Sequence, residues 1–149
     1  MERVLVVVAL LGLAGAAAAV VRRRTTPDAP TQSSWTVPAQ LDRDDFDHPD
    51  AAWLVAVFSS ATCLSCRATW AKAEQLASPQ VAVQEVEAVA HPALHDRYGI
   101  DAVPCVVVAD VSGVVRASFL GEPSTADLWA AVAELREPGS TPPSCTGSD

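Results

Sequence analysis

The sequence predicts an α/β domain, a central mixed β-sheet flanked by helices, preceded by one N-terminal transmembrane helix. Three observations predict it. The chain opens on an uncharged apolar run at residues 4–21. Two short continuous apolar runs, WLVAVF at 53–58 and CVVVA at 105–109, have the length of strands buried on both faces. Segments with helical apolar spacing alternate with strand-like ones around them, as a β-α-β unit followed by a hairpin and a closing helix requires.

The first run, VLVVVALLGLAGAAAAVV, is about 27 Å long as a helix and just spans a hydrocarbon core. A cleaved signal peptide competes with this, because Ala16 to Ala19 are small residues suited to cleavage. The run exceeds the usual signal core, however, and Arg22, Arg23 and Arg24 follow it directly. Only Arg3 precedes it, partly offset by Glu2, so the positive-inside bias places the following domain in the cytoplasm. An extracytoplasmic domain is the alternative. No Cys occurs in the first 60 residues, so the N-terminus is not that of a lipoprotein.

Of 149 residues, 50% are hydrophobic and 5% aromatic, and the formal net charge is -8. Setting residues 1–24 aside leaves six basic residues against seventeen acidic ones. So acidic a surface cannot neutralise phosphates, which excludes a nucleic-acid partner. Periodic apolar blocks exclude disorder for most of the chain. One Lys, one Ile and no Asn point to a GC-rich bacterial genome.

Residues 25–43 are expected to be a linker, 44–137 the folded domain and 138–149 a disordered tail. Trp35 and Val37 are candidates to begin the fold, and Leu41 and Phe46 to reach the core. The other residues of LDRDDFDHPD, 41–50, read as a solvated acidic surface. After the first strand, CLSCRATWAKAEQLA at 63–77 is helix, with Leu64, Trp70, Ala73 and Leu76 on its packed face and Pro79 closing it. VAVQEV at 81–86 alternates as a strand. His91 to Tyr98 forms a short helix that Pro92 opens and Gly99 ends. CVVVA is followed by the turn DVSG and by VVRASFL at 114–120, a hairpin. Ser124 and Asp127 are spaced as a capping box for the last helix, whose Leu128, Ala131, Val132 and Leu135 share a face.

Chemistry concentrates in Cys63-Leu64-Ser65-Cys66, where a buried strand gives way to a helix. A thiol at a helix N-terminus meets unpaired N–H groups and the positive end of the dipole, which favour its thiolate. Cys63 is therefore the better nucleophile, and Cys66 is placed to attack the mixed disulfide it forms. The same spacing supplies half of a zinc site, with Cys105 and a His as further ligands. His91 and His95 at i, i+4 spacing read as a solvated face, as does Arg67 beside Cys66. Cys105 reads as a core residue or a third thiol near the pair, and Cys145 as an incidental tail thiol.

The stretch WLVAVFSSATCLSC, the segment YGIDAVPCVVVAD at 98–110, the hairpin with Gly113, and Phe119-Leu120-Gly121 before the last helix resemble the thioredoxin superfamily over roughly residues 44–137. The resemblance implies a thioredoxin-like fold and thiol–disulfide exchange with Cys63 as nucleophile and Cys66 as resolving cysteine. It implies that Pro104 is cis after Val103, and that the backbone of Val103 and Pro104 lies beside the sulfurs and binds an extended substrate. No metal or other cofactor is expected. The partners expected are protein disulfides or small thiols, with an upstream electron donor or acceptor.

The departures are specific. Thr62 replaces the Trp of the family's WCGPC motif, Leu64 and Ser65 replace its Gly-Pro, and Val57 stands where a buried Asp assists proton transfer to the resolving thiol. No kinking Pro occurs near Ala71 or Lys72. A specialised relative fits this pattern better than a general reductase. The alternatives are a redox-inert thioredoxin-like binding module and a metal-binding CxxC protein.

Overall fold

The structure is a computed structural model and describes residues 36–140. The anchor at 4–21, Trp35 and the tail from 141 with Cys145 lie outside the described residues. Among those described, no helix is long and apolar enough to cross a membrane.

Strands β1 (Trp53–Ser59), β2 (Val81–Glu87), β3 (Cys105–Asp110) and β4 (Val115–Leu120) form one sheet in the order β2-β1-β3-β4. Helices α1 (Leu64–Ala73), α2 (Pro92–Tyr98) and α3 (Thr125–Arg136) connect and close it. Strands β1 and β2 are parallel, which a tight turn cannot join, so α1 makes the crossover. The β1–β3 and β3–β4 pairs are antiparallel.

The continuous apolar run of β1 follows from its central place. Alternation sends Val55 and Val57 to one face, where they pack with Val106 and Val108 against Ala73 and Trp70 of α1 and Leu128 and Val132 of α3. Leu54, Ala56 and Phe58 go to the other, with Val107, Leu41 and Phe46, covered by Leu94 and Tyr98 of α2. Edge strand β4 instead alternates half-buried and exposed residues, as one covered face dictates.

The α-helical part of the first predicted helix stops at Ala73, and Glu74–Leu76 tighten into a 3-10 turn. Its expected packed face needs one correction: Leu64 is 73% exposed. It stands in the first turn, beyond the end of the sheet that Trp70 and Ala73 pack upon. The Ser124 hydroxyl caps α3 by accepting from the Asp127 N–H at 3.0 Å, and Gly99 takes the left-handed conformation that ends α2.

The packed structure also takes in residues before position 44. Gln40 bridges Val114, Leu41 is buried, and its N–H donates to the Gly113 carbonyl at 2.8 Å. A Cβ on Gly113 would meet the Leu41 carbonyl oxygen at 1.9 Å, and φ there is +78°, so glycine alone admits this close approach. Arg43 is buried as well. Its guanidinium donates to the carbonyls of Asp110, His48 and Ala51, and burial lowers its pKa against the opposing pull of Asp110 and Asp50.

The acidic stretch is thus more than a solvated surface. Asp42 and Asp45 pair with Arg97 at 2.9 Å each, and the Tyr98 hydroxyl donates to Asp45 while accepting the Asp42 N–H. Burial, then the bond to Asp45, pushes the Tyr98 phenol up to about 12. The helix carrying His91 and His95 is also corrected. His95 is buried, with its Nε2 2.8 Å from the Val86 carbonyl and its ring edge-on to Phe58. His91, outside the helix as its N-cap, is exposed. The i, i+4 pair therefore does not form one solvated face, because the turn it occupies packs on the sheet.

Candidate functional site

Strand β1 ends at Ser59, residues 60–62 turn the chain, and α1 begins at Leu64 with Cys63 as its N-cap. Cys63 has extended backbone angles, φ -89° and ψ 111°, as a cap residue requires. It is bonded to Cys66 in a disulfide, with S–S 2.10 Å and Cα–Cα 5.3 Å. The Cys66 N–H donates to the Cys63 sulfur at 3.1 Å, and the Ser65 hydroxyl lies 3.4 Å from it. No acid occupies the first turn, so nothing there opposes negative charge on Cys63.

The two sulfurs differ in access. Cys63 is half-buried, whereas Cys66 is 1% exposed. An incoming group therefore reaches Cys63 first. Leu64, between them, stands exposed, as does Arg67 beyond Cys66.

The Val103–Pro104 peptide bond is cis. Cys105, the next residue, pairs with Phe58 near the end of β1, so Val103 and Pro104 lie at the sheet end where the chain turns into the Cys63 helix. Pro104 is buried, and its carbonyl accepts the Gly121 N–H at 2.9 Å.

Cys105 has 1% exposure in the cluster with Leu41, Phe46 and Phe58, the sheet face opposite the one α1 packs on. Burial pushes its thiol up to about 11. At pH 8 roughly a thousandth of it is ionised, and the thiolate is the reactive form. Peptide mapping after iodoacetamide treatment of the reduced, folded chain at pH 8 is expected to find Cys63 alkylated and Cys105 spared. Equal labelling of both would contradict the core position.

Val57, where the family resemblance leads one to look for a carboxylate, is fully buried among Val55, Val106 and Ala73. Two acids on β2 escaped the sequence reading. Glu85 accepts from the buried Ser59 hydroxyl at 2.7 Å. The Glu87 carboxylate accepts the Ala61 N–H at 3.0 Å and the Val89 and Ala90 N–H groups at 2.9 Å. The only sequence signal is alternation in VAVQEVE, which puts Glu85 and Glu87 on the side of Val81 and Val83. Among the described residues, no group of three or more His, Cys, Asp or Glu is placed to hold a metal ion.

A thioredoxin mutant from Halobacterium salinarum superposes on this chain with a TM-score of 0.50, at 24% identity over 62% of this chain and 80% of that one. The chain has a thioredoxin-like fold. The structure of a malarial protein gives a TM-score of 0.51 at 15% identity, over 56% of this chain and 96% of the other. Oxidized mitochondrial thioredoxin 3 from Saccharomyces cerevisiae gives 0.48 at 20% identity, over 57% and 81%. No protein-family model and no curated protein match the chain. The thioredoxin-like fold and a Cys63–Cys66 pair at disulfide distance fit a redox role.

Proposed function

We propose that the chain is a membrane-tethered thiol–disulfide oxidoreductase that exchanges disulfides with protein or small-thiol substrates. One observation carries this reading: an accessible Cys63 at a helix N-cap, disulfide-bonded to a buried Cys66. In the reduced chain the Cys66 N–H and the end of the helix dipole favour a Cys63 thiolate. That thiolate attacks a substrate disulfide, forming a Cys63–substrate bond and releasing one substrate sulfur as a thiolate. Cys66 then passes its proton to the thiolate already released and attacks the Cys63 sulfur, closing the pair and releasing the second substrate sulfur as a thiolate. Two electrons pass from the pair to the substrate, and an upstream dithiol donor restores it. The backbone of Val103, held beside the cis Pro104 at the same sheet end, is the proposed contact for an extended substrate, since Pro104 has no N–H and its carbonyl already accepts from Gly121.

Disulfide reduction by the full chain in detergent, compared with Cys63→Ser, tests the activity. Turnover independent of Cys63 would refute it, and absence of turnover with every dithiol donor would favour a redox-inert binding module.

Residues 4–21 are the proposed tether, with the domain on the cytoplasmic side. There the reducing thiol pool keeps the pair a reductant. In intact cells, a single engineered cysteine at Ser140 is expected to resist a membrane-impermeant maleimide and to react after permeabilisation. Labelling of intact cells would place the domain outside.

A further inference from the structure

In the turn that delivers Cys63 to its helix, the Cys63 N–H donates to the Ser60 carbonyl at 3.0 Å and the Ser60 and Thr62 hydroxyls lie 3.3 Å apart. These bonds close the turn without tying it to another strand. Ser60 is half-buried, and Ala61 and Thr62 are exposed, so no apolar side chain anchors residues 60–62 to the core. A carboxylate from another strand does so instead. Glu87 is the last residue of β2 and the register partner of Ser59. The strand pairing runs one step further, with the Ala88 N–H donating to the Ser59 carbonyl at 2.9 Å.

At that point the Glu87 side chain spans two loops. Its Oε1 accepts the Ala61 N–H, and its Oε2 accepts those of Val89 and Ala90. The N–H of Ala90, then that of Ala61, hold its carboxyl below the usual range, with His95 of α2 adding a smaller electrostatic pull. Hydrogen bonds to a charged acceptor are about twice as strong as neutral ones.

We propose that Glu87 is a positioning residue for the redox pair, pinning residues 60–62 to the Val89–Ala90 loop so that Cys63 stays at the N-cap of α1. The proposal rests on the thiol–disulfide reading of Cys63 and Cys66. Glu87 has two effects of opposite sign on the Cys63 thiolate. As a negative charge it disfavours a second one nearby. As a clamp it holds the sulfur where the helix donors favour the charged form. Removing the carboxylate therefore lowers the Cys63 pKa if charge dominates and raises it if positioning does.

The test measures peptide-resolved alkylation of Cys63 by iodoacetamide against pH, in the reduced full chain in detergent, for the wild type, Glu87→Gln and Glu87→Ala. Gln keeps an acceptor for one loop but cannot accept from both, so it breaks the bridge with the least change of shape. We expect the apparent Cys63 pKa to rise by about half a unit or more in both variants, which slows alkylation about threefold below the midpoint. Amide exchange at Ala61 should also quicken, while thermal unfolding of Glu87→Gln shows the fold retained. An unchanged or lowered Cys63 pKa would overturn the proposal. Alkylation requires no turnover, so a chain that reduces no substrate would defeat the oxidoreductase reading while leaving this result to decide the role of Glu87.

Discussion

Cys63→Ser is expected to lower the rate of disulfide reduction by more than about a thousandfold, since covalent attack has no other route. The nucleophile is the thiolate. A serine hydroxyl at the same N-cap keeps the hydrogen bond from the Cys66 N–H but does not ionise near neutral pH. Cys66→Ser should behave differently. Cys63 remains free to attack, the mixed disulfide has no internal resolving thiol, and a covalent substrate adduct accumulates that a reductant releases. The pair of variants is measured by turnover and by mass spectrometry of the trapped species. Cys66 is 1% exposed, so an external thiol reaches it far less readily than Cys63. Full activity in Cys63→Ser, or adducts carried on Cys66 in the wild type, would reverse the assignment of roles.

Phe58→Ala is expected to destabilise the domain by about 3–5 kcal/mol. Phe58 is fully buried on the central strand. Its ring centroid lies 5.3 Å from His95 and 6.2 Å from Tyr98, edge-on to both. Truncation opens a cavity where β1, α2 and the side chains of Leu41 and Phe46 meet, and the strand cannot shift to fill it because it is paired on both sides. Denaturant unfolding followed by tryptophan fluorescence measures the loss. For a domain of about 100 residues, such a loss lowers Tm by more than about 12 °C. A change below about 1 kcal/mol would show that this junction is not packed as described. The substitution also bears on the site, because Phe58 leads into Ser59 and the loop before Cys63.

Legibility in the sequence followed the range of the interactions. The strands and helices of the domain were readable because each is set by a local pattern: the apolar run of β1, Gly99 after α2, Ser124 before α3. The N-cap place of Cys63 was readable for the same reason, as a strand-to-helix boundary with a cysteine on it. Leu64 was misplaced because helical spacing does not say where the sheet beneath a helix ends. His95 was misplaced because a polar residue on a short helix looks solvated until the strand carbonyl that accepts it is known.

Arg43 and Glu87 illustrate the same limit more sharply. Each is a charged residue in an acidic or alternating stretch, and each is defined by backbone groups of distant segments: Asp110, His48 and Ala51 for Arg43, Ala61, Val89 and Ala90 for Glu87. No periodicity records such partners.

The sequence by itself determined the order of elements, the CxxC at a helix start and the apolar segment ahead of the domain, because backbone propensity and apolar period act over a few residues. Tertiary structure alone decided which cysteine is reached from solvent, which face of the sheet takes Cys105, and which carboxylate holds the loop before Cys63. Those depend on burial and on hydrogen bonds between strands that are neighbours only in space, and burial is a property of the packed sheet rather than of any one segment.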